Sequence, residues 1–253
     1  MTHYPQDEFY IGYADRAPAG IARFVGRWTA FLVVIGTCAA LLVAASQQGY
    51  DAATFEFGQA RAFQGMIATS PYPALLVERP GKSVSRYHLV APGKHGADAL
   101  VHDLDGRPAE LAGSLIYRDD QTMIEVAAGF LAPGRPEDSP VGSRPEPDVL
   151  GTVTLQGEIV DSKCFLGVMN PATWTPHRAC AVRCVSGGVP PMLVVRGSAG
   201  VVAYVLLADG QGRPSGKALL DLIAEPVEVT GRLERHDGQL FLFADRSSYR
   251  RIS

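Results

Sequence analysis

The chain repeats itself, and internal self-similarity is the strongest fold-level constraint a single sequence can carry. Residues 107–126, RPAELAGSLIYRDDQTMIEV, lie on residues 225–244, EPVEVTGRLERHDGQLFLFA, without a gap at an offset of 118. Pro108/Pro226, Glu110/Glu228, Gly113/Gly231, Leu115/Leu233, Asp119/Asp237 and Gln121/Gln239 are identical pairs. Upstream, Asp103-Leu104 matches Asp221-Leu222 at the same offset, and the run from Leu89 to Gly93 matches that from Leu206 to Gly210 at 117. At the start of each unit Gln64-Gly65-Met66-Ile67 matches Gln156-Gly157-Glu158-Ile159, but here the offset is only 92. The second copy therefore carries about 26 extra residues between its first and third strands.

Those extra residues hold the chemistry. The stretch from Leu155 to Val195 contains three of the four cysteines, together with Met169, His177 and Trp174. Thr175 and Pro176 read as a helix start, a hydroxyl cap followed by proline in the first turn. Ser186-Gly187-Gly188 reads as its end, with glycine free to take the left-handed cap. A helix from Pro176 to Val185 stacks His177, Cys180 and Cys184 on one face at i, i+3 and i+7. Cys164, at the end of the preceding strand, approaches that face, and Trp174 reads as an apolar anchor for the segment. Asp161 and Lys163 flank Cys164 as an exposed strand-end pair.

Each copy is a run of short strands with one brief helix before a terminal hairpin, as the 27 glycines and 18 prolines favour. Short helices are expected over residues 97–104 and 216–224, and strand pairs around Arg118-Asp119-Asp120 and Asp237-Gly238. The segment VEVTGRLERHDGQLFLFADRSSYRRI resembles the last two strands of small bacterial OB-fold domains. The second half, with its strand of the form G-x-V-V-D-x-x-C and a Cys-containing helix, resembles uncharacterised exported or membrane-anchored bacterial OB-fold-like proteins. The resemblance covers roughly residues 150–250 and implies fold and compartment but no activity. The expected fold class is mainly β: one N-terminal transmembrane helix, then two tandem OB-like small β-barrel domains, the second with a Cys/His helical insertion.

From Trp28 to Tyr50 no charged residue interrupts the chain, a length sufficient to cross a bilayer as a helix. Arg16, Arg23 and Arg27 precede it, which by the positive-inside rule leaves the N-terminal tail in the cytoplasm and the rest in the periplasm. The expected location is the cell inner membrane, single-pass, with Cys38 a small apolar residue of the span. A cleaved signal peptide is the competing reading, opposed by Asp7, Glu8 and Asp15 in the long tail. Residues 132–148 hold five prolines and almost nothing apolar, and read as a linker. The expected division is a tail (1–27), an anchor (28–50), a first OB-like domain (51–131), the linker (132–148) and a second OB-like domain (149–253) with the insertion at 161–190.

Charge is nearly balanced, with a net charge of −3 and no basic stripe, so nucleic acid is not expected as a partner. Membrane or periplasmic proteins are the expected partners. No serine–histidine–acid order, phosphate loop or dinucleotide fingerprint is present, so no catalytic residue is assigned.

Two readings of the cysteines stand side by side. In an exported domain, Cys164 pairs with Cys180 or Cys184 as a disulfide staple and one thiol is left over. Alternatively Cys164, His177, Cys180 and Cys184, with Met169 or Met192 as a weak thioether, hold copper, zinc or an iron–sulfur centre. The first reading makes the chain a non-enzymatic interaction module or accessory subunit of a membrane complex. The second makes it a membrane-anchored metal-binding or redox accessory protein for a respiratory or cofactor-assembly system.

Overall fold

The computed structural model describes residues 17–46, 53–81, 83–134, 146–197 and 200–252. Most of the N-terminal tail and most of the expected linker lie outside them. Ala19–Ser46 forms one continuous helix, α1, that is long and apolar enough to cross a membrane and has no buried residue. It begins nine residues before Trp28 because Pro18, suited to a helix start, accepts the Ala22 N–H at 2.8 Å and nothing downstream breaks the frame. Arg23 and Arg27 are thus helical.

Residues Tyr50–Ser253 form a separate compact unit built on two sheets. The first contains β1 (Ala53–Phe55), β2 (Arg61–Ala68), β3 (Ala74–Glu78), β4 (Val84–Ala91), β5 (His95–Gly96), β6 (Pro108–Arg118) and β7 (Gln121–Pro133). The second contains β8 (Asp148–Asp161), β9 (Pro191–Gly197), β10 (Gly200–Ala208), β11 (Pro226–His236), β12 (Gln239–Phe243) and β13 (Tyr249–Arg251). In the second sheet β8, β9, β10, β12 and β11 pair in turn and β11 returns to β8, closing a five-stranded barrel that resembles the OB fold. A 3-10 helix, Gly216–Leu222, lies between its third and fourth strands. In the first sheet β2, β3, β4, β7 and β6 pair in the same cyclic order, and a short helix, α2 (Asp98–Val101), precedes β6.

The registers agree residue by residue. Gln64 lies opposite Glu110 and Gln156 opposite Glu228, and in both pairs the amide donates to the carboxylate at 2.8 Å. Gly65 and Gly157 face a neighbouring strand's carbonyl so closely that a Cβ would come within 2.3 and 2.4 Å of Leu76 O and Val194 O. Asp119 and Asp237 both take a left-handed turn, with φ of 51° and 50°. The pairings Leu89↔Ile124 and Leu207↔Leu242 carry the offset of 118 through the third strand. The sequence match at 117 is therefore one residue out of step. A one-residue slip reverses which face each side chain occupies, and the parallel pairing with the hairpin fixes the true register.

Matched positions fill matched interiors. Ile67, Leu75, Leu89, Ala109, Leu111 and Ile124 pack inside the first ring of strands, and Ile159, Leu193, Leu207, Val227, Val229 and Leu242 inside the second. The opposite faces of the same strands are also apolar and meet in a third core, where Val90, Ile116 and Met123 pack with Leu206, Ala208 and Phe241. The Cys/His segment, residues 162–190, contributes Cys164, Phe165, Leu166 and Cys184 to that core. The contacts across it are reciprocal: Arg86 on β4 pairs with Asp237, and Tyr204 at the corresponding position of β10 donates to Asp119. The Arg86–Asp237 pair, 2.8 Å apart, has side chains almost wholly removed from solvent. Losing one member of such a pair costs about 3–5 kcal/mol.

His88, beside Arg86, lies edge-on to Phe241 with ring centroids 5.8 Å apart. Burial, reinforced by the Arg86 charge, pushes its pKa from 6.5 down to about 3. Between these values the unfolded chain binds a proton that the native protein does not. Stability is therefore full above pH 6.5 and falls as the pH drops, by up to about 1.4 kcal/mol per unit. In chemical denaturation between pH 7 and 5, His88→Leu is expected to flatten this slope; an unchanged slope would remove His88 as its source.

Candidate metal centre

The centre is built where β8 ends. Asp161, fully buried, turns its carboxylate back over the following turn, so that Oδ1 accepts the Cys164 N–H at 2.8 Å. This fixes Cys164 at the start of a single wide helical turn, Cys164–Val168. That turn packs on β1, where Gly167 leaves no room for a side chain against Thr54 O, and the Arg118 guanidinium lies 4.3 Å from the Phe165 ring centroid.

Helix α3, Trp174–Ser186, then carries the other candidate residues, His177, Cys180 and Cys184. It starts ahead of the Thr175-Pro176 signal. The buried Glu158 carboxylate accepts the Trp174 N–H and replaces a hydroxyl cap, while Pro176 remains in the first turn where no N–H is needed. Burial raises the Glu158 pKa against that hydrogen bond. Trp174 is no apolar anchor: its φ is 61° and its side chain is about half exposed, because the backbone rather than the ring holds this end of the helix. The left-handed residue beyond the helix is Gly188, with φ of 97°.

The structure brings the three cysteines together. The Sγ atoms of Cys164, Cys180 and Cys184 all lie within 4.8 Å of one another, with Cys164 4.0 Å from Cys180 and 3.9 Å from Cys184. The disulfide of the first reading is not formed, since a sulfur–sulfur bond is about 2.05 Å. All four cysteines of the chain are free thiols. A tetrahedral ion with metal–sulfur distances of about 2.3 Å spaces its sulfurs about 3.8 Å apart. The group can thus hold a metal ion.

His177 joins through Asp161: its Nε2 is 2.9 Å from Asp161 Oδ2, and both side chains are buried. Its Nδ1 is buried with no hydrogen-bond partner among the described residues. One ring nitrogen, Asp161 and Cys164 Sγ form a second group within 4.8 Å. Met169 donates its backbone N–H to Cys164 O at 3.1 Å and leaves its side chain exposed, whereas Met192 is buried in the junction core.

The protons divide unequally among the sulfurs. Cys164 is pushed well above the ordinary thiol range, first by its hydrogen bond to Cys184 and then by burial and Asp161. Cys184 is lowered by receiving that bond, against the effect of burial. Lys94, from the turn between β4 and β5, donates to Cys180 Sγ at 2.7 Å, which holds the lysine above its usual range. Lys163 turns away from the sulfurs. It reaches the carbonyls of Ala91 and Gly93 at 2.8 and 2.6 Å and pairs with Glu125, so the expected exposed strand-end pair is in fact buried.

Sequence reasoning missed Lys94 and the work of Asp161. The three-residue spacing from Asp161 to Cys164, typical of a carboxylate capping the next turn, signals the second. No local signal marks Lys94.

No protein-family model matches the chain, and no curated protein matches it. A similar solved structure is a deletion mutant of the single-stranded DNA-binding protein from Thermus aquaticus, 15% identical, covering 80% of this chain and 88% of that one with a TM-score of 0.24. The exclusion of nucleic acid drawn from charge composition is corrected by that likeness and does not stand; a TM-score of 0.24 assigns no ligand to this chain.

In a Cys38→Ser chain kept reduced and metal-free, Cys180 is expected to react first with an alkylating reagent, and Cys164 and Cys184 only on unfolding. Equal rates for all three, read by peptide mass, would contradict the burial described here.

Proposed function

We propose that this chain is a membrane-tethered metal-binding accessory protein, with the ion held by Cys164, Cys180 and Cys184. The observation that carries the reading is the convergence of three sulfurs within 4.8 Å of one another, Cys164 lying 4.0 and 3.9 Å from the other two. His177 stands beside the group, within 4.8 Å of Cys164 Sγ together with Asp161 but outside the group of three sulfurs, and supports the centre through its buried pair with Asp161. Met169, on the rim, is at most a weak outer thioether. Thiolate-rich donors suit a soft or borderline ion, copper(I) or zinc, on a single centre. A four-iron cluster spreads its thiolates over separate irons and fits these spacings poorly.

The matched registers support the further proposal that residues 51–131 and 149–253 are two copies of one OB-like unit. On this reading residues 161–190 are inserted in the second copy and α1 tethers both outside the cytoplasm. A second reading, an interaction module, draws support from the exposed apolar side chains of Val168, Met169 and Trp174 on the Cys/His segment.

Full-length protein in detergent, supplied with zinc or copper(I) under reductant, is expected to retain one ion per chain. Cys180→Ser and Cys184→Ser should each abolish retention with the barrel still folded, and His177→Ala should weaken it by about 10- to 100-fold. Retention by a Cys180→Ser/Cys184→Ser double variant, or no binding by the wild type, would overturn the metal reading.

For the tether, a phosphatase reporter that needs an oxidising compartment, fused after Ser253 and expressed in a bacterial host, is expected to be active. An inactive but intact fusion would place the C-terminus on the other side.

A further inference from the structure

The three sulfurs differ in access. Cys164 and Cys184 are 4% and 1% exposed, whereas Cys180 is only partly buried. Of the three sulfur-bearing residues Cys180 is the one that solvent reaches, and the Lys94 ammonium lies over it, 2.7 Å from the sulfur. Lys94 belongs to the first sheet and the cysteines to the second, 86 residues apart in sequence.

The turn that carries Lys94 is held firmly. Lys163 grips it from the second sheet through Ala91 O and Gly93 O, and is itself anchored on Glu125. Gly96 donates to Gly187 O at 2.9 Å at the end of α3. A Cβ on Gly187 would lie 2.0 Å from Lys94 O, so only glycine permits this close docking. The backbone beneath Lys94 is thus fixed from both sides, while its side chain remains exposed and able to swing on four rotatable bonds.

We infer that Cys180 is where an ion enters and leaves the centre and that Lys94 is the gate over it, an inference that rests on the metal reading. The ammonium covers the sulfur and supplies a counter-charge to thiolates that carry more negative charge than one ion cancels. A rotation of the lysine side chain uncovers Cys180 without moving the turn. An incoming ion is handed first to Cys180 and then to the two buried sulfurs, and release reverses that order. Lys94 ligates nothing, since an ammonium has no lone pair to offer.

The test uses the full chain in detergent, loaded with zinc under reductant, with release to excess EDTA followed in time. Lys94→Ala should still take up one ion per chain but release it about tenfold faster, the order expected for losing one partly exposed charge-assisted hydrogen bond. Lys94→Met, which keeps the length but not the charge, should also release faster, and Lys94→Arg should stay near the wild type. Thermal melts of the metal-free variants check that the fold is intact. A wild type that binds one ion and a Lys94→Ala variant that releases it at the wild-type rate would overturn the gate alone. A wild type that binds none would overturn the metal reading and the gate with it.

Discussion

Everything in the 50–253 unit depends on strands that are apolar on both faces. In β4 and β10 one set of alternating residues fills a ring of strands, and the other set meets the neighbouring ring in the junction core. A strand of this kind cannot end at solvent on either side, so each ring requires the other to cover it. The buried Arg86–Asp237 pair and its counterpart, Tyr204 to Asp119, fix the register of that union, because a misplaced charge in an apolar junction is costly. The contacts are reciprocal, each sheet meeting the hairpin turn of the other from the same strand position.

The candidate centre exploits this junction. Cys164 and Cys184 are buried in the shared core, while Asp161 sits at the edge of the second ring and Lys94 arrives from the first. Three thiols and a histidine–carboxylate pair are thereby held without a covalent link. The sulfurs lie too far apart to be bonded and close enough to share one ion. The raised pKa of Cys164 follows from the same placement, through its hydrogen bond to Cys184, its burial and the nearby Asp161.

Local signals were legible where the physics is local. The repeat determined the strand pairs and turns, down to the left-handed Asp119 and Asp237, because hairpin register is set by residues close in sequence. The uncharged run determined a helix suited to a bilayer. The helical spacing of Cys180 and Cys184 was legible, since helical periodicity requires no tertiary context, and both meet Cys164; His177 lies instead with Asp161 and Cys164. The third-strand match at 117 failed by one residue, because that strand pairs with a hairpin more than 30 residues away and the matched letters alone could not count the step.

What only the tertiary structure decided has the opposite character. Whether the cysteines bond or merely converge depends on where β8 delivers Cys164 relative to α3, a matter of ångströms that spacing does not encode. Asp161 as the partner of His177, Glu158 as the cap that replaces Thr175, and the exposed rather than anchoring Trp174 all follow from how the segment lies across the junction. Lys94 is the extreme case, brought to Cys180 across 86 residues by the union of two sheets. Sequence determines which residues share a strand or a helical face; only the packing of those faces decides which side chains of distant segments meet, because that choice is made by burial over the whole junction and not by any local preference.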